Sequence, residues 1–455
     1  MSFWPPDVSQ GSGPVYRRVA DAIGQAIESG SLPPGSRLPS HRDMAYQLGV
    51  AVGSVAKAYG LLADRGQVQG RVGHGTVVRA ADQDADQAPL TADRAAVDMG
   101  LATAPPLSDP ELIDAAGRRT LADIAAQWPL LGLADYPPEG GIERQQKAAA
   151  RWLRGRGLPA SAETVFITIG AQEALLAILM TFARGGVPLL CEALTAVATK
   201  NLFFATGNPA EAVALDAEGL LPEALDEAAA RSGSPLVVLR PSLQIPTAAR
   251  MSQTRRDAIV EVARARDLLI VEIDSFAEFL PDRDRPLAAL APERAFFVSS
   301  LASQTQPGLR SALLHAPPAL VERLRTTRHA NLIGTPTLIG EVVCSLIQSG
   351  VAERLTAAHR QELKARHAIL RTQLDGLAYT TRPFAPFIWL TLAKGQAADL
   401  AAQAAERGVR LLPAERFAIG ASQPPQALRL AISSPPDRAS LTRGLAVVRA
   451  LLSGD

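Results

Sequence analysis

The sequence predicts a multidomain chain. A winged helix-turn-helix comes first. An α/β unit on a large, mainly parallel seven-stranded sheet follows, and a small α+β unit closes the chain. Three observations carry this reading. Residues 14–79 give three short helices and a β-hairpin in that order. Residues 80–98, AADQDADQAPLTADRAAVD, hold five Asp, one Arg and almost no large apolar side chain, the composition of a flexible acidic linker. From about Ala160, seven short apolar runs alternate with helix-length segments, as in a sheet covered on both faces. The expected divisions are 1–79, 80–98, 99–317 and 318–455.

In the first unit, Val15, Val19, Ile23 and Ile27, flanked by Ala22 and Ala26, form one helical stripe. Gly30 and the Pro33-Pro34-Gly35 turn end it. Ser40 caps a short helix from Arg42 to Leu48, closed by Gly49. A second helix is expected from about Val52 to Arg65. Val68 to Val78 then reads as strand, Gly73-His74-Gly75 turn, strand.

The seven strand candidates are 165–169, 187–191, 211–215, 236–239, 268–273, 295–299 and 312–316. After Pro317 the chain reads as helical to about Leu377. Two strands (PFIWLTL and ALRLAIS) and a last helix, Asp437 to Leu452, complete it.

Composition excludes several classes. Hydrophobic residues are 47% and charged residues 20% of the 455, an ordinary globular balance. With 46 Lys and Arg against 45 Asp and Glu, the chain is not a wholly basic coat protein. No apolar run approaches the roughly 20 residues of a membrane helix, and MSFWPPDVSQGSG does not read as a secretory signal. Cys191 and Cys344 form neither a disulfide framework nor a zinc motif, and no His spacing suggests a metal. His359 and His367, eight apart on a polar helix, are expected to be solvated. A reducing cytoplasm is the expected compartment. Lysine chemistry is confined to Lys57, Lys147, Lys200, Lys364 and Lys394.

The first unit has a local excess of basic residues: eight Lys and Arg against four acids in residues 14–79. Phosphate contacts need such an excess. The second helix of the motif would enter a major groove with Ser54 and Lys57 on one face. Arg37 and Arg42 would add positive charge, and the wing would place Arg71 and His74 over the neighbouring minor groove or backbone.

The stretch from Val15 to Val78 resembles the winged-helix domain of GntR-type bacterial regulators. Arg42 matches the arginine after the helix cap. Many relatives carry a second arginine early in the recognition helix, where this chain has Val52. The winged helix, acidic linker and α/β unit together resemble the MocR subfamily, in which a GntR-type domain is fused to a fold-type-I aminotransferase domain that uses pyridoxal phosphate (PLP). DYPPEGG (135–141), GAQEAL (170–175), PSLQIPT (241–247), LIVEIDSF (269–276), PGLR (307–310) and ALRLAIS (427–433) carry this resemblance.

The resemblance implies where PLP chemistry would reside, and the chain departs from the pattern there. The Schiff-base lysine position is Ser303, and a serine forms no aldimine. The carboxylate that holds the pyridine proton falls at Ile273; Asp274 is next to it, but strand neighbours point to opposite faces. Partners of the ring hydroxyl fall at Ile245 and Phe276, and the stacking aromatic at Ala196. Lys200, four residues past Ala196, is in principle a substitute amine.

Other positions keep the pattern. Gly170, Ala171 and Gln172 open a helix whose free N–H groups suit an anion. Arg310 matches the phosphate-binding arginine, with Ser300 near it. Arg429 matches the arginine that clamps a substrate carboxylate. Tyr136 lies in a segment that reaches toward the partner's site in such dimers. The expected function is therefore a homodimeric regulator of operator DNA. Its aminotransferase-like part would lack covalent PLP and metal, and would serve dimerisation or the sensing of a small anion. The alternative is a PLP-binding regulator or a working aminotransferase.

Overall fold

The computed structural model describes residues 14–28, 32, 36–64, 68–71, 75–78, 97–107, 111–126, 128, 135–138, 141–183, 185–392, 397–420 and 424–453. The chain divides into two compact units, Met1–Arg94 and Ala95–Asp455.

The first unit is a winged helix: α1 (Val15–Glu28), α2 (His41–Leu48), α3 (Val52–Asp64), β1 (Val68–Arg71) and β2 (Gly75–Val78). Its core gathers Val19 and Ile23 of α1, Met44 of α2, Val55 and Leu62 of α3, and Val68 and Val78 of the hairpin. Tyr59 joins them and donates its hydroxyl to the Pro39 carbonyl at 3.0 Å. Ser40 caps α2, accepting from the Asp43 amide at 3.2 Å, and Gly49 ends it at φ 64°. Arg37 bridges to Val77, which adds a third extended segment to the hairpin.

Val97 and Asp98, expected at the end of the linker, form β3 (Val97–Asp98). The elements α4 (Glu111–Ala126), α5 (Glu143–Arg154), β4 (Val165–Thr168), α6 (Ala171–Phe182), β5 (Leu189–Glu192), α7 (Val197–Ala205) and β6 (Ala210–Val213) follow. Next come the hairpin β7 (Leu215–Asp216) and β8 (Gly219–Leu220), then α8 (Pro222–Ser232), β9 (Leu236–Leu239), α9 (Gln253–Ala265), β10 (Leu269–Asp274) and α10 (Leu287–Leu290). The chain continues through β11 (Ala295–Ser299), α11 (Leu301–Gln304) and β12 (Ala312–His315).

All seven expected strands lie in one sheet, in the order β4-β12-β11-β10-β9-β5-β6. Every pairing is parallel except those of β12, which runs antiparallel to β11 and β4. Separate apolar layers cover its faces. Ile270, Phe297 and Leu313 pack on one side with α5 and α9 residues; Val271, Ile273, Val298 and Leu314 pack on the other with α6. Burial on both faces is why these strands read as continuous apolar runs.

The last part holds α12 (Val321–Leu332), α13 (Thr337–Gln348), α14 (Val351–Gln373), β13 (Tyr379–Thr380), β14 (Phe387–Thr391), α15 (Ala397–Glu406), β15 (Val409–Arg410), β16 (Leu412–Pro413), β17 (Ala427–Ala431) and α16 (Arg438–Ser453). An antiparallel sheet, β13-β14-β17-β16, shares an apolar cluster with α14 and α16. β3 pairs in parallel with β15, and Val97 and Met99 enter the small subdomain's core beside Leu428, Leu445 and Val448. The small subdomain thus recruits residues that composition alone assigned to the linker and the large domain.

One further expectation is corrected. His359 and His367 are buried, with 1% and 7% exposure. They meet the carbonyls of Thr305 at 3.2 Å and Ala385 at 2.9 Å. The helix that carries them is covered on that side by α11 and the 384–387 segment, which no helical pattern could show. Burial holds both imidazoles below their ordinary pKa.

Candidate functional site

The winged helix presents one candidate surface. Arg37, Arg42 and Lys57 are exposed, and Ser54, half-buried, sits in the first turn of α3 with its amide bonded to the Ala51 carbonyl at 2.9 Å. Arg71 ends β1 opposite Gly75. His74 lies outside the described residues. The α2 cap and the Gly49 turn fix how α3 follows α2, so the exposed side of α3 is presented on a rigid frame.

The second candidate lies at one end of the seven-stranded sheet. β4 ends at Thr168 opposite Ala312, and β11 ends at Ser299 opposite Leu313. Gly170, Ser300 and Arg310 therefore converge at the carboxyl ends of β4 and β11, where open α/β sheets bind ligands. Gly170 turns the chain into α6 at φ 109° and ψ 163°. The Arg310 guanidinium lies directly over it: a Cβ at Gly170 would stand 2.8 Å from Arg310 Nη2. That nitrogen also donates to Gln172 Oε1 at 3.4 Å. Arg310 itself adopts a left-handed backbone, φ 45° and ψ 55°, a conformation that costs a non-glycine residue and is found where a side chain must be aimed. The amides at the start of α6, including that of Ala171, and the guanidinium form a cradle that could hold an anion.

Ser300 and Ser303 belong to the short α11. Ser300 caps it, and the two hydroxyl oxygens are 2.6 Å apart. Thr168, which sequence reasoning overlooked, bonds through its hydroxyl to the Gly170 and Ala312 carbonyls, each at 3.2 Å, and so ties the cradle's two walls together. Its position at a strand's carboxyl end was the available signal.

Apart from Ser303, the positions at which the chain departs from the aminotransferase pattern are apolar. Ile273 packs with Val271 and Val298 on the α6 side of the sheet. Phe276 and Ile245 share a cluster with Phe279 and Phe387. Ala196 precedes α7. Asp274 points to the opposite face, as the alternation requires. It accepts from Ser242 Oγ at 3.3 Å and the Ala277 amide at 2.9 Å, and burial pushes its carboxyl up to about 6. Lys200 donates to the Arg416 carbonyl at 3.2 Å; burial, then the Arg416 charge, lowers its pKa.

Arg429 lies elsewhere, on β17 between Trp389 and Leu412. It is 5% exposed, donates to the Gly100 carbonyl, and stands over the rings of Phe387 at 5.8 Å and Phe417 at 5.4 Å. Tyr136 is 79% exposed. A second buried polar group lies at the ends of β5 and β9. Glu192 accepts the Arg240 amide at 3.4 Å, and the Arg240 side chain donates to Thr195 at 3.3 Å and Thr199 at 2.9 Å. Burial pushes the Glu192 carboxyl up to about 8. Among the described residues, no cluster of His, Cys, Asp or Glu suits a metal ion, and no helix is long and apolar enough to cross a membrane.

The sheet and its helices agree with the class: the chain belongs to the aminotransferase class I and II family, whose description matches residues 123–448. Residues 15–78 match the bacterial regulatory proteins of the gntR family. The chain is thus a transcriptional regulator with a GntR-type helix-turn-helix and an aminotransferase-like domain, the arrangement of MocR-type regulators. Among its relatives is the HTH-type transcriptional regulator YdeF of Bacillus subtilis, 25% identical over 99% of this chain and 96% of that one. Another is the pyridoxine biosynthesis transcriptional regulator PdxR of Corynebacterium glutamicum, 29% identical over 80% of this chain and 79% of that one. Among solved structures, the α-aminoadipate aminotransferase LysN of Thermus thermophilus superposes with a TM-score of 0.70 at 25% identity, covering 79% of this chain and 93% of that one.

Proposed function

We propose that this regulator binds operator DNA as a homodimer in the cytoplasm, and that its aminotransferase-like domain has given up covalent PLP chemistry to act as a dimerisation and ligand-sensing module. The observation that carries the second half is Ser303. Where the family resemblance calls for an amine, a hydroxyl stands 2.6 Å from the Ser300 hydroxyl. The residues present do not fit PLP as a covalent cofactor. Ile273 offers the ring nitrogen no carboxylate, Ile245 and Phe276 offer its hydroxyl no partner, and Ala196 offers it no aromatic stack. The Lys200 amine is engaged with a carbonyl of another segment.

The cradle at Gly170, Ala171, Gln172 and Arg310, with Ser300 and Ser303 nearby, supports a non-covalent anion as the ligand. Arg429 is the second cationic candidate, with Tyr136 at the exposed rim. Incubation with PLP followed by borohydride reduction tests the reading. No label on the protein is expected; a reduced adduct on any lysine, Lys200 first, would restore the cofactor. Arg310→Ala and Arg429→Ala test the anion: phosphate or carboxylate affinity unchanged in both would remove it. A PLP held without a Schiff base is the second reading, favoured by the same cradle, and competition between PLP and inorganic phosphate tests it.

A further inference from the structure

The exposed side of α3 carries almost no hydrogen-bonding chemistry. At the pitch of an α-helix, Val52, Ala56, Gly60, Gly53 and Lys57 follow one another round an arc of about 140°, and all five are exposed. Val55, Ala58, Tyr59 and Leu62 fill the buried side. Lys57 stands at one margin of the arc, and Val52, 46% exposed, at the other. Between them no side chain exceeds a methyl group, and a Cβ placed on Gly53 or Gly60 would meet nothing within 4 Å.

We infer that Val52 is a specificity-determining residue that reads a thymine: its methyl groups meet the C5 methyl of one thymine in each operator half-site. This rests on the reading that α3 enters the major groove. Of the groups that base pairs display there, the thymine methyl is the apolar one, and an exposed valine has neither donor nor acceptor for the others. The flat centre of the arc lets the helix axis come close to the base edges, so a side chain as short as valine reaches them. Lys57 supplies a mobile point charge that can reach a phosphate or a guanine edge but makes no apolar contact with a thymine methyl. Lys57 and the half-buried Ser54 supply the polar contacts of this helix, and Val52 supplies its apolar one. Arg42 and Arg37, on other segments, lie outside the arc and supply charge without altering its apolar character.

The test begins with duplexes selected from a random pool by the full-length protein. Each thymine of the enriched half-site is then replaced by deoxyuridine, which removes only the C5 methyl. One position is expected to lose about fourfold in affinity per half-site, the effect of burying one methyl group. The loss should persist in Val52→Ile and vanish in Val52→Ala. Deoxyuridine that is neutral at every position with the wild-type protein, or a loss that survives in Val52→Ala, overturns the assignment. A selection that enriches no duplex overturns the DNA-binding reading itself, and this one with it.

Discussion

Replacing Gly170 by alanine perturbs the proposed anion cradle where Arg310 lies against the backbone. Two consequences follow from the geometry. The backbone at φ 109° and ψ 163° lies in a region nearly reserved for glycine; holding alanine there costs on the order of 1–3 kcal/mol. The new methyl would also stand 2.8 Å from Arg310 Nη2 and 3.3 Å from its Cζ, so the guanidinium must swing away. A charge-assisted hydrogen bond to a bound anion is worth roughly 1.5–3 kcal/mol, so its loss weakens binding about tenfold to a hundredfold. Calorimetric titration with inorganic phosphate at fixed ionic strength measures the second effect, and urea unfolding the first. Arg310→Ala separates them, because it removes the guanidinium and leaves Gly170 unstrained. Wild-type phosphate affinity in Gly170→Ala would refute the cradle. Wild-type stability in the same variant would refute the backbone argument.

Three other outcomes are expected. Gly340→Ala drives a methyl into the buried Gln145 amide, which donates to the Thr337 carbonyl at 3.3 Å and to Glu341 Oε1 at 2.5 Å. Losing both bonds costs about 2–4 kcal/mol, and adding Gln145→Ala should recover part of it in thermal unfolding; an unchanged single variant would contradict the α5–α13 packing. Glu192, raised in the folded state from 4.5 to about 8, keeps a proton that the unfolded chain has released between those values. Stability should therefore fall as pH rises through that window. Melting temperatures of Glu192→Gln should vary less from pH 5 to 9 than those of the wild type, and parallel curves would count against it. Arg42→Ala should weaken DNA binding alike for all sequences and flatten the salt dependence by about one phosphate contact per subunit; a change in sequence preference would mean that Arg42 touches bases.

Much of the architecture was legible because the physics that shapes it is local. The seven strands are mostly apolar because both faces of the sheet are covered. The caps at Ser40 and Gly49 mark α2 because only certain residues fit those positions. Gly170–Gln172 and Arg310 stand out in the sequence because helix starts and cations carry their chemistry openly, and the fold brings Arg310 against Gly170 and Gln172. What escaped depends on distant partners. Arg256 is fully buried and answered by Glu272 at 3.3 Å, and Arg366 by Glu362 at 2.8 Å, yet each reads as an ordinary surface residue of a polar helix. His359 and His367 were misread for the same reason. The Arg429 guanidinium between two phenylalanine rings could not be foreseen, because Phe387 and Phe417 come from separate strands and turns.

The strand formed by Val97 and Asp98 sets where the larger unit can be cut free. Met99 accepts from the Ala431 amide at 2.8 Å and donates to the Arg410 carbonyl at 3.0 Å, and a Cβ on Gly444 would press on both Val97 and Met99. A fragment that starts after Gly100 would lose two core side chains and a strand. It would also lose the Gly100 carbonyl to which the buried Arg429 donates. A fragment that begins at the unit boundary near Ala95 keeps all three. Limited proteolysis of the full-length chain should accordingly yield a stable product whose first residue lies before Val97.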